Sequence, residues 1–265
     1  MLDRLNALWF GDRLSYLEQL SIKTALALGH PYTVFSYSPD KLSGVPDGAE
    51  LRDAREVMVD ERRIKYLHGK FKALASDFFR YELLAQSRGY WVDLDLIFLK
   101  PLNFKTEYVF GWEKIGSING AVLKLPADSS MLSTLRSIPE RNWLPPYAGP
   151  RSRLRYYLNR LRGDVELDDL PWGAAGPGMI TYLAKQTGNA SLAQPKSVFY
   201  PLDYDQAKLL YGPPPAVEAL LSPETRAIHM WHSSLHGLAD RPPPLGSFMQ
   251  NLCRSFQVST EDDAF

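Results

Sequence analysis

The first part of the chain alternates between strand-like and helix-like patterns. Residues 5–10 are mostly apolar, residues 14–28 have a helical period that ends before Gly29, and residues 32–37 are rich in β-forming side chains. A strand–helix–strand unit of this kind predicts parallel strands with a helix packed on the sheet. Ligands of such doubly wound sheets bind beyond the carboxyl ends of the strands. We therefore predict an α/β protein whose binding site includes the end of its first strand.

The balance of charge and the cysteine content narrow the class of protein further. The 265 residues contain 30 basic and 30 acidic side chains, so no global positive charge points to nucleic acid as a partner. The lone Cys253 cannot form an internal disulfide, which suits a reducing compartment. The sequence has neither a leader pattern nor an apolar run of membrane-spanning length. We therefore expect a cytoplasmic protein, or one that is peripheral at the inner face of the membrane.

Two aspartates interrupt an apolar run in residues 90–101. Its aromatic and β-forming residues, bounded by Gly89 and Pro101, predict a strand rather than a helix. Alternate side chains of a strand point to opposite faces, so Asp93 and Asp95 are predicted to share one face. Two carboxylates in an apolar setting repel each other, and a divalent cation with a phosphate-bearing ligand would compensate them. Alternatively, both aspartates simply face water at the end of the strand.

The segment before this strand is predicted to be a helix. Residues 69–88 carry apolar side chains at helical spacing, and Gly89 is expected to end the helix. Asp77 and Arg80 stand three residues apart, so they can be neighbours on one helical face. Alone, such a pair would be an ordinary ion pair.

Spaced elements across residues 76–95 together form a family motif. They are Ser-Asp at 76–77, Arg-Tyr at 80–81, Gly89, an aromatic residue, and the Asp-x-Asp of residues 93–95. This pattern resembles that of metal-dependent glycosyltransferases with the GT-A fold, in particular the DXD group that includes yeast mannosyltransferases and clostridial glucosylating toxins. The chain departs from the pattern at Arg88, where the family has glycine, and at Trp91, where it has tyrosine.

The resemblance implies a GT-A fold, which is Rossmann-like with a mostly parallel central sheet and flanking helices. A single domain, 1–265, would bind a nucleotide-diphosphate sugar with residues 1–125 and would use residues 126–265 for the acceptor and for closure. The implied activity is metal-dependent transfer of a hexose to a saccharide or lipid-linked acceptor, with retention of configuration, as in polysaccharide biosynthesis. The implied cofactor is Mn²⁺ or Mg²⁺.

The resemblance also assigns roles to residues of the first half. Trp9 would stack on the nucleotide base. Asp93 would contact the ribose or the metal, and Asp95 would coordinate the metal. Arg80 and Asp77 would orient the donor sugar and the ribose hydroxyls, and these four charged residues are the candidates for catalysis. The alternative for Trp9 is burial in the core, where large aromatic side chains usually lie.

Further donor contacts are implied by weaker matches. Phe10 follows Trp9 where the family usually has isoleucine, and Asp12 replaces a glycine. Asn119 lies in a strand that resembles the family's strand after the DXD motif, although an Asn-Gly pair is also an ordinary turn. Gly176 lies in a glycine-dense stretch that resembles the family's Gly-Pro turn before a helix. A plain helix-entry loop would use the same residues.

A late element of the sequence resembles the family's His-x-Trp-x-x-Ser-Trp motif. His229 would complete the metal site, and Trp231 and Ser234 would bind the nucleotide sugar, while Leu235 replaces the final tryptophan. A zinc site is a poor alternative because the histidines lack the helical His-Glu-x-x-His spacing. A buried core histidine is the usual alternative.

Two other functions compete with the transferase. A glycosidase also uses paired carboxylates, but these flank the scissile bond from opposite sides and rarely share one strand face. A nucleotide-sugar-binding protein without catalysis is compatible with the departures at Arg88 and Leu235.

The remaining patterns predict secondary structure. Strands are expected at residues 108–112, 118–125 and 198–201, and a helix at 179–186. Residues 139–171 are irregular except for 151–162, which combine five arginines with an apolar helical stripe. This basic amphipathic helix is either a surface helix packed on the domain or a contact for an anionic membrane or a lipid-linked acceptor.

Overall fold

The computed structural model describes residues 1–60 and 72–260. The strands are β1 (Leu5–Trp9), β2 (Tyr32–Ser36), β3 (Ala49–Asp53), β4 (Tyr90–Val92), β5 (Leu96–Phe98), β6 (Val109–Lys114), β7 (Ser117–Lys124) and β8 (Ala227–His229). The α-helices are α1 (Tyr16–Ala27), α2 (Lys72–Ala85), α3 (Ser130–Arg136), α4 (Pro150–Arg160), α5 (Pro177–Gln186), α6 (Lys196–Phe199), α7 (Pro214–Glu218) and α8 (Phe248–Ser255). The first residues of the helix predicted at 69–88 lie outside the described residues.

A six-stranded sheet in the order β3-β2-β1-β4-β7-β6 forms the centre of the molecule. The first four strands of this order are parallel, and β7 is antiparallel to both β4 and β6. The first three strands are added in one direction from β1, and β4 is added on the other side of β1. The strand order therefore reverses between β1 and β4. Ligands bind at such a point in Rossmann-like sheets. The predicted α/β class, Rossmann-like with a mostly parallel central sheet and flanking helices, is confirmed.

Helix α1 begins where the sequence supplies a helix cap. The Ser15 side chain accepts a hydrogen bond from the Leu17 N–H, while the Glu18 side chain accepts one from the Ser15 N–H. This reciprocal pattern satisfies N–H groups that have no partner within the helix. It also fixes the Glu18 carboxylate, which is buried.

Helix α2 packs its aromatic face on the sheet. Phe78, Phe79 and Tyr81 are fully buried, and the Phe79 ring lies 6.0 Å from the Trp91 ring of β4. This packing fixes the rotation of α2 about its axis. The polar side chains of Asp77 and Arg80 are therefore held between the helix and the carboxyl end of β4.

The strand predicted for residues 90–101 is wrong in one respect, because it is broken at the two aspartates. β4 pairs with β7 in the central sheet, whereas β5 pairs with β8 in a separate two-stranded sheet. The chain changes partner in between. The Asp93 N–H donates to the Ala121 carbonyl, and the Asp95 carbonyl accepts from the Met230 N–H, both at 2.8 Å.

The strand predicted for residues 198–201 is also wrong. Residues Lys196–Phe199 form the short helix α6, which begins after Pro195 and is closed by the Tyr200 N–H donating to the Lys196 carbonyl at 2.8 Å. Proline has no backbone N–H, and a helix needs no hydrogen-bond donor at its start, so Pro195 suits this position. This local preference outweighs the β-forming tendency of Val198 and Phe199.

All six strands of the central sheet come from residues 5–124. The division into a donor half, 1–125, and an acceptor half, 126–265, stays a prediction.

Within residues 1–60 and 72–260, none of the helices is both long enough and apolar enough to cross a bilayer.

Candidate functional site

A large cleft opens beyond the carboxyl ends of β1 and β4. Its volume is about 1190 Å³, which exceeds the roughly 300–1,000 Å³ of typical small-ligand sites. The early part of the chain contributes Trp9, Phe10, Glu18, Asp77, Arg80, Asp93 and Asp95 to its wall. The late part contributes Asp203, Tyr204, His229, Trp231, His232 and His236. The fold thus brings the Asp-x-Asp segment and the late His-x-Trp segment of the sequence to one site.

Asp93 follows the last residue of β4 and is held by its neighbours through one carboxylate oxygen. Its Oδ1 accepts hydrogen bonds from the Trp91 Nε1–H at 2.7 Å and from Arg80 Nη2 at 3.3 Å. Within the described part of the chain, these bonds leave Oδ2 for a ligand. Burial raises the pKa of Asp93, although Arg80 opposes the shift.

Asp95 and His229 form a close pair. The Asp95 Oδ1 lies 3.1 Å from the His229 Nε2, and its Oδ2 accepts a hydrogen bond from the His232 N–H at 3.1 Å. Burial alone would raise the pKa of Asp95, but these partners hold it at about 2. Burial would lower the pKa of His229, but the Asp95 carboxylate raises it above its ordinary value. The pair therefore favours an ionised carboxylate beside a protonated imidazole.

Asp93, Asp95 and His229 could together hold a metal ion. One ligand atom of each residue lies within 4.8 Å of the other two. Carboxylate oxygens with one imidazole nitrogen suit an ion such as Mn²⁺, and three protein ligands leave positions for phosphate oxygens.

The charges around this cluster also fit a divalent cation. Histidine must lose its proton to coordinate a metal. Among Asp77, Arg80, Asp93 and Asp95, three carboxylates then face one guanidinium, and a divalent ion would balance this excess of negative charge. The residues present thus fit a divalent cation.

Arg80 joins Asp77 to Asp93. Its Nη1 lies 3.3 Å from the Asp77 Oδ1 and donates to the Gly120 carbonyl at 3.2 Å. Its guanidinium carbon lies 4.9 Å from the centre of the Trp91 ring, a cation–π contact. Asp77 and Arg80 are thus neighbours on one face of α2, as their spacing predicts. Burial raises the pKa of Asp77 to about 6, although Arg80 opposes the shift.

Two glycines make room for this charged pair. A Cβ atom on Gly120 would overlap the Arg80 guanidinium, and one on Gly176 would overlap the Asp77 carboxylate. Gly176, a predicted donor contact, is thus placed against Asp77 rather than on the wall of the cleft. Glycine is required at position 176 because α5 begins there in contact with the buried Asp77 side chain.

Trp9 ends the first strand, Phe10 follows it, and both lie on the wall of the cleft. The half-buried Trp9 ring is fixed by its Nε1–H, which donates to the Arg13 carbonyl at 3.0 Å. One part of the ring packs on the core and another faces the cleft. The ring therefore offers the cleft an aromatic surface that is already oriented.

Asn119 lies on the cleft wall, but its side chain bonds to its own hairpin. Its Nδ2 donates to the Glu113 Oε2 at 2.8 Å, and its Oδ1 accepts from the Ala121 N–H at 2.8 Å. The amide group therefore orients the Glu113 carboxylate. This is a different arrangement from a simple Asn-Gly turn.

Trp231 and Ser234 follow β8 and differ in where they point. The Trp231 ring meets the His229 ring edge-on at 4.2 Å, and its Nε1–H donates to the Leu202 carbonyl at 2.9 Å. The Ser234 hydroxyl donates to the Trp231 carbonyl at 2.9 Å and is used within the turn. Trp231 thus lies on the cleft wall beside the metal cluster, whereas Ser234 does not.

Several cleft residues were not identified from the sequence. Glu18 is buried, and its Oε1 lies 3.6 Å from the His232 Nδ1 without a hydrogen bond to any described residue. Glu113, Asp203 and Tyr204 also line the cleft. The Ser-x-x-Glu motif reveals Glu18 as a helix cap, but no pattern indicates that the cap of α1 faces this site.

A smaller cavity adjoins the cleft. Its volume is about 390 Å³, and it shares Glu113, Lys114, Trp172 and Pro177 with the cleft. Its far wall is formed by one side of α4, including Tyr156. The two cavities together provide adjacent spaces for two ligands.

The chain named PaToxG Glycosyltransferase is among the solved structures that resemble this one. The likeness covers 90% of this chain and 87% of that chain, with a TM-score of 0.44 and 14% sequence identity. No protein-family profile matches the sequence, and no curated protein is similar to it. A likeness this weak concerns the course of the chain and says nothing of its chemistry.

Proposed function

We propose that the protein is a metal-dependent glycosyltransferase that uses a nucleotide-diphosphate sugar. The observation that carries this proposal is the cluster of Asp93, Asp95 and His229 in a cleft whose wall also contains Trp9. A divalent ion at this cluster would bind diphosphate oxygens and neutralise charge on the leaving group. The aromatic Trp9 surface would stack on the base.

The residues around the cluster have distinct roles in this proposal. Arg80 holds the Asp93 carboxylate in place through Nη2 and can donate to donor hydroxyls through charge-assisted hydrogen bonds. Asp77 fixes Arg80 from the other side. His229 would have to be neutral to hold a cation, so cation binding would be coupled to release of its proton.

The acceptor is proposed to enter from the smaller cavity. This cavity meets the cleft at Glu113 and Trp172, so a second ligand bound in it would lie beside a donor sugar bound in the cleft. Its wall combines aromatic rings with carboxylate and amide groups, which suits a saccharide or the head of a lipid-linked acceptor. Retention of anomeric configuration and a hexose as the donor sugar belong to the same proposal.

A nucleotide-sugar-binding protein without catalysis is the second candidate. It is favoured by Leu235, which lines the cleft where related transferases have tryptophan. Arg88 gives it no support, because its side chain bonds to Gln86 and Glu56 outside the cleft.

A binding screen of nucleotide-diphosphate sugars, with and without Mn²⁺, tests the proposal. We expect one donor to bind more tightly with Mn²⁺ and to be slowly hydrolysed, releasing the nucleoside diphosphate. Asp95→Asn should lose both the metal effect and the hydrolysis, whereas Asp205→Asn, an exposed aspartate outside the cleft, should keep both.

Three results would contradict transfer. Metal-enhanced binding without turnover in the presence of saccharide and lipid-linked acceptors would favour the second candidate. Release of sugar from a glycoside without metal or nucleotide would indicate a glycosidase. Donor binding that is unchanged by chelation of the metal would remove the basis of the proposal.

A further inference from the structure

Helix α4 exposes an apolar face that surface helices normally bury. Leu154, Tyr157, Leu158 and Leu161 are 62%, 58%, 51% and 84% exposed. Tyr156 alone among the residues of α4 is buried. A surface helix usually turns its apolar stripe toward the core. The expectation that this stripe packs on the domain is therefore wrong, and contiguous exposed apolar side chains mark a contact with a partner or a membrane.

Basic side chains surround this apolar face. Residues 151–162 contain five arginines and no acidic residue. Arg153 donates to the carbonyls of Pro146 and Ala148, and Arg160 pairs with Asp164. Within residues 1–60 and 72–260, the other three arginines, Arg151, Arg155 and Arg162, form no ion pair. The local positive charge is thus available, although the whole chain is neutral.

An anionic lipid surface fits this face better than a second copy of the chain. Two copies that met through α4 would bring their arginines together, and like charges would repel across the contact. An anionic membrane attracts arginines through its surface potential, and it accepts leucine and tyrosine side chains at the headgroup boundary. Of these two partners, the membrane is the one that uses both the basic and the apolar side chains of the helix.

The position of α4 relates this face to the cleft. The side of α4 that carries Ser152, Tyr156 and Asn159 lines the smaller cavity, while the apolar face lies exposed to solvent. A membrane on the exposed face would therefore lie beside the cavity that meets the cleft at Glu113.

We propose that α4 docks this protein on an anionic membrane surface, with Leu154, Tyr157, Leu158 and Leu161 at the headgroup boundary and Arg151 and Arg162 on lipid phosphates. Docking requires neither donor nor metal. A failure of docking would thus leave the proposed transferase activity intact, and a failure of the transferase activity would leave docking intact.

Flotation with phosphatidylcholine vesicles, with or without phosphatidylserine, tests the docking. The full chain should float with vesicles that contain phosphatidylserine and should dissociate as salt is added. Arg151→Gln with Arg162→Gln should lower the partition coefficient about tenfold to thirtyfold, since each arginine near an anionic surface raises partitioning by about threefold to fivefold. Lys105→Gln with Arg254→Gln removes the same charge from exposed sites elsewhere and should have little effect.

The apolar face is tested by a matched pair of leucines. Leu161→Asn should weaken flotation severalfold, whereas Leu245→Asn, at a leucine that is 92% exposed far along the chain, should not. Circular dichroism confirms that each variant is folded. No binding to phosphatidylserine vesicles at low salt, or equal losses in the α4 variants and their controls, overturns the proposal. So does arginine-dependent binding of RNA by a protein that does not float with vesicles.

Discussion

The Asp95 carboxylate and the His229 imidazole lie 3.1 Å apart because strands β5 and β8 pair with Leu96 opposite His229. This register places the second aspartate of the Asp-x-Asp motif against the first residue of the late His-x-Trp motif. The proposed metal site is thus assembled by a small two-stranded sheet and not by the central sheet alone.

Asp95→Asn is expected to lower transfer activity at least about 100-fold, because loss of a ligand to a catalytic metal removes several kcal/mol of transition-state stabilisation. Adding Asp93→Asn should lower the activity little further, because both residues serve one site. Initial rates of the single and double variants measure this coupling. Effects that simply multiply would mean that the two aspartates act independently.

His229→Ala should weaken Mn²⁺ binding on the order of tenfold or more, because it removes the nitrogen ligand. Titration calorimetry with Mn²⁺ gives the affinity. His232→Ala is the matched control, because the His232 contact to Asp95 is made by the backbone N–H and survives the substitution. Equal losses of Mn²⁺ affinity in both variants would show that His229 has a structural role and is not a ligand.

Trp9→Ala should weaken donor binding by about 1–3 kcal/mol through the loss of base stacking. Trp9→Phe should retain much of the affinity because it keeps an aromatic ring. Donor affinity and melting temperature are measured on the same samples. A lowered melting temperature with unchanged affinity would show that Trp9 serves the core.

Asp77 should make stability depend on pH. Its pKa of about 6 in the folded chain exceeds the ordinary value of 3.8, so the folded state binds its proton more tightly than the unfolded state. The contribution of Asp77 to stability is therefore greatest below pH 4 and is lost as the pH rises through 6.

Urea unfolding of the wild type and of Asp77→Asn, at several pH values between 4 and 7, isolates this contribution. The stability of the wild type relative to the variant should fall by about 2–3 kcal/mol from the acidic to the neutral end. A difference that is constant over this range would show that the pKa of Asp77 is not raised.

Gly176→Ala should destabilise the protein by about 1–3 kcal/mol, because the added methyl group overlaps the Asp77 carboxylate. Gly149→Ala is a suitable control, since a Cβ atom there meets no atom within 4 Å. Denaturant unfolding measures both variants. Similar losses in the two would mean that Asp77 moves aside at little cost.

The sequence predicts the fold well where local patterns and tertiary packing agree. The helical period that ends before Gly29 locates α1, and the β-forming run of residues 32–37 locates β2. Prediction fails at residues 93–95, where the chain changes its strand partner, because an apolar run does not reveal which strand pairs with it. It fails again at Val198, where the short helix α6 that begins after Pro195 outweighs β propensity.

The candidate site could be predicted only in part. Motif spacing brings together Asp77, Arg80, Asp93 and Asp95, which lie on helix α2 and in the short break between strands β4 and β5. The contribution of Glu18 could not be foreseen, because a capping residue carries no indication of what faces it across the fold. Nor could the local bonds of Ser234, which depend on the left-handed conformation of Trp231.

The separation of β4 from β5 has a consequence for how the protein is synthesised. Every strand of the central sheet has left the ribosome once residue 124 has emerged, yet the aspartates acquire their imidazole only when β8 follows. Domains fold largely in the order in which they emerge. A nascent or truncated chain that ends before β8 would therefore carry both carboxylates without the imidazole, and it would lack the third ligand of the proposed metal site.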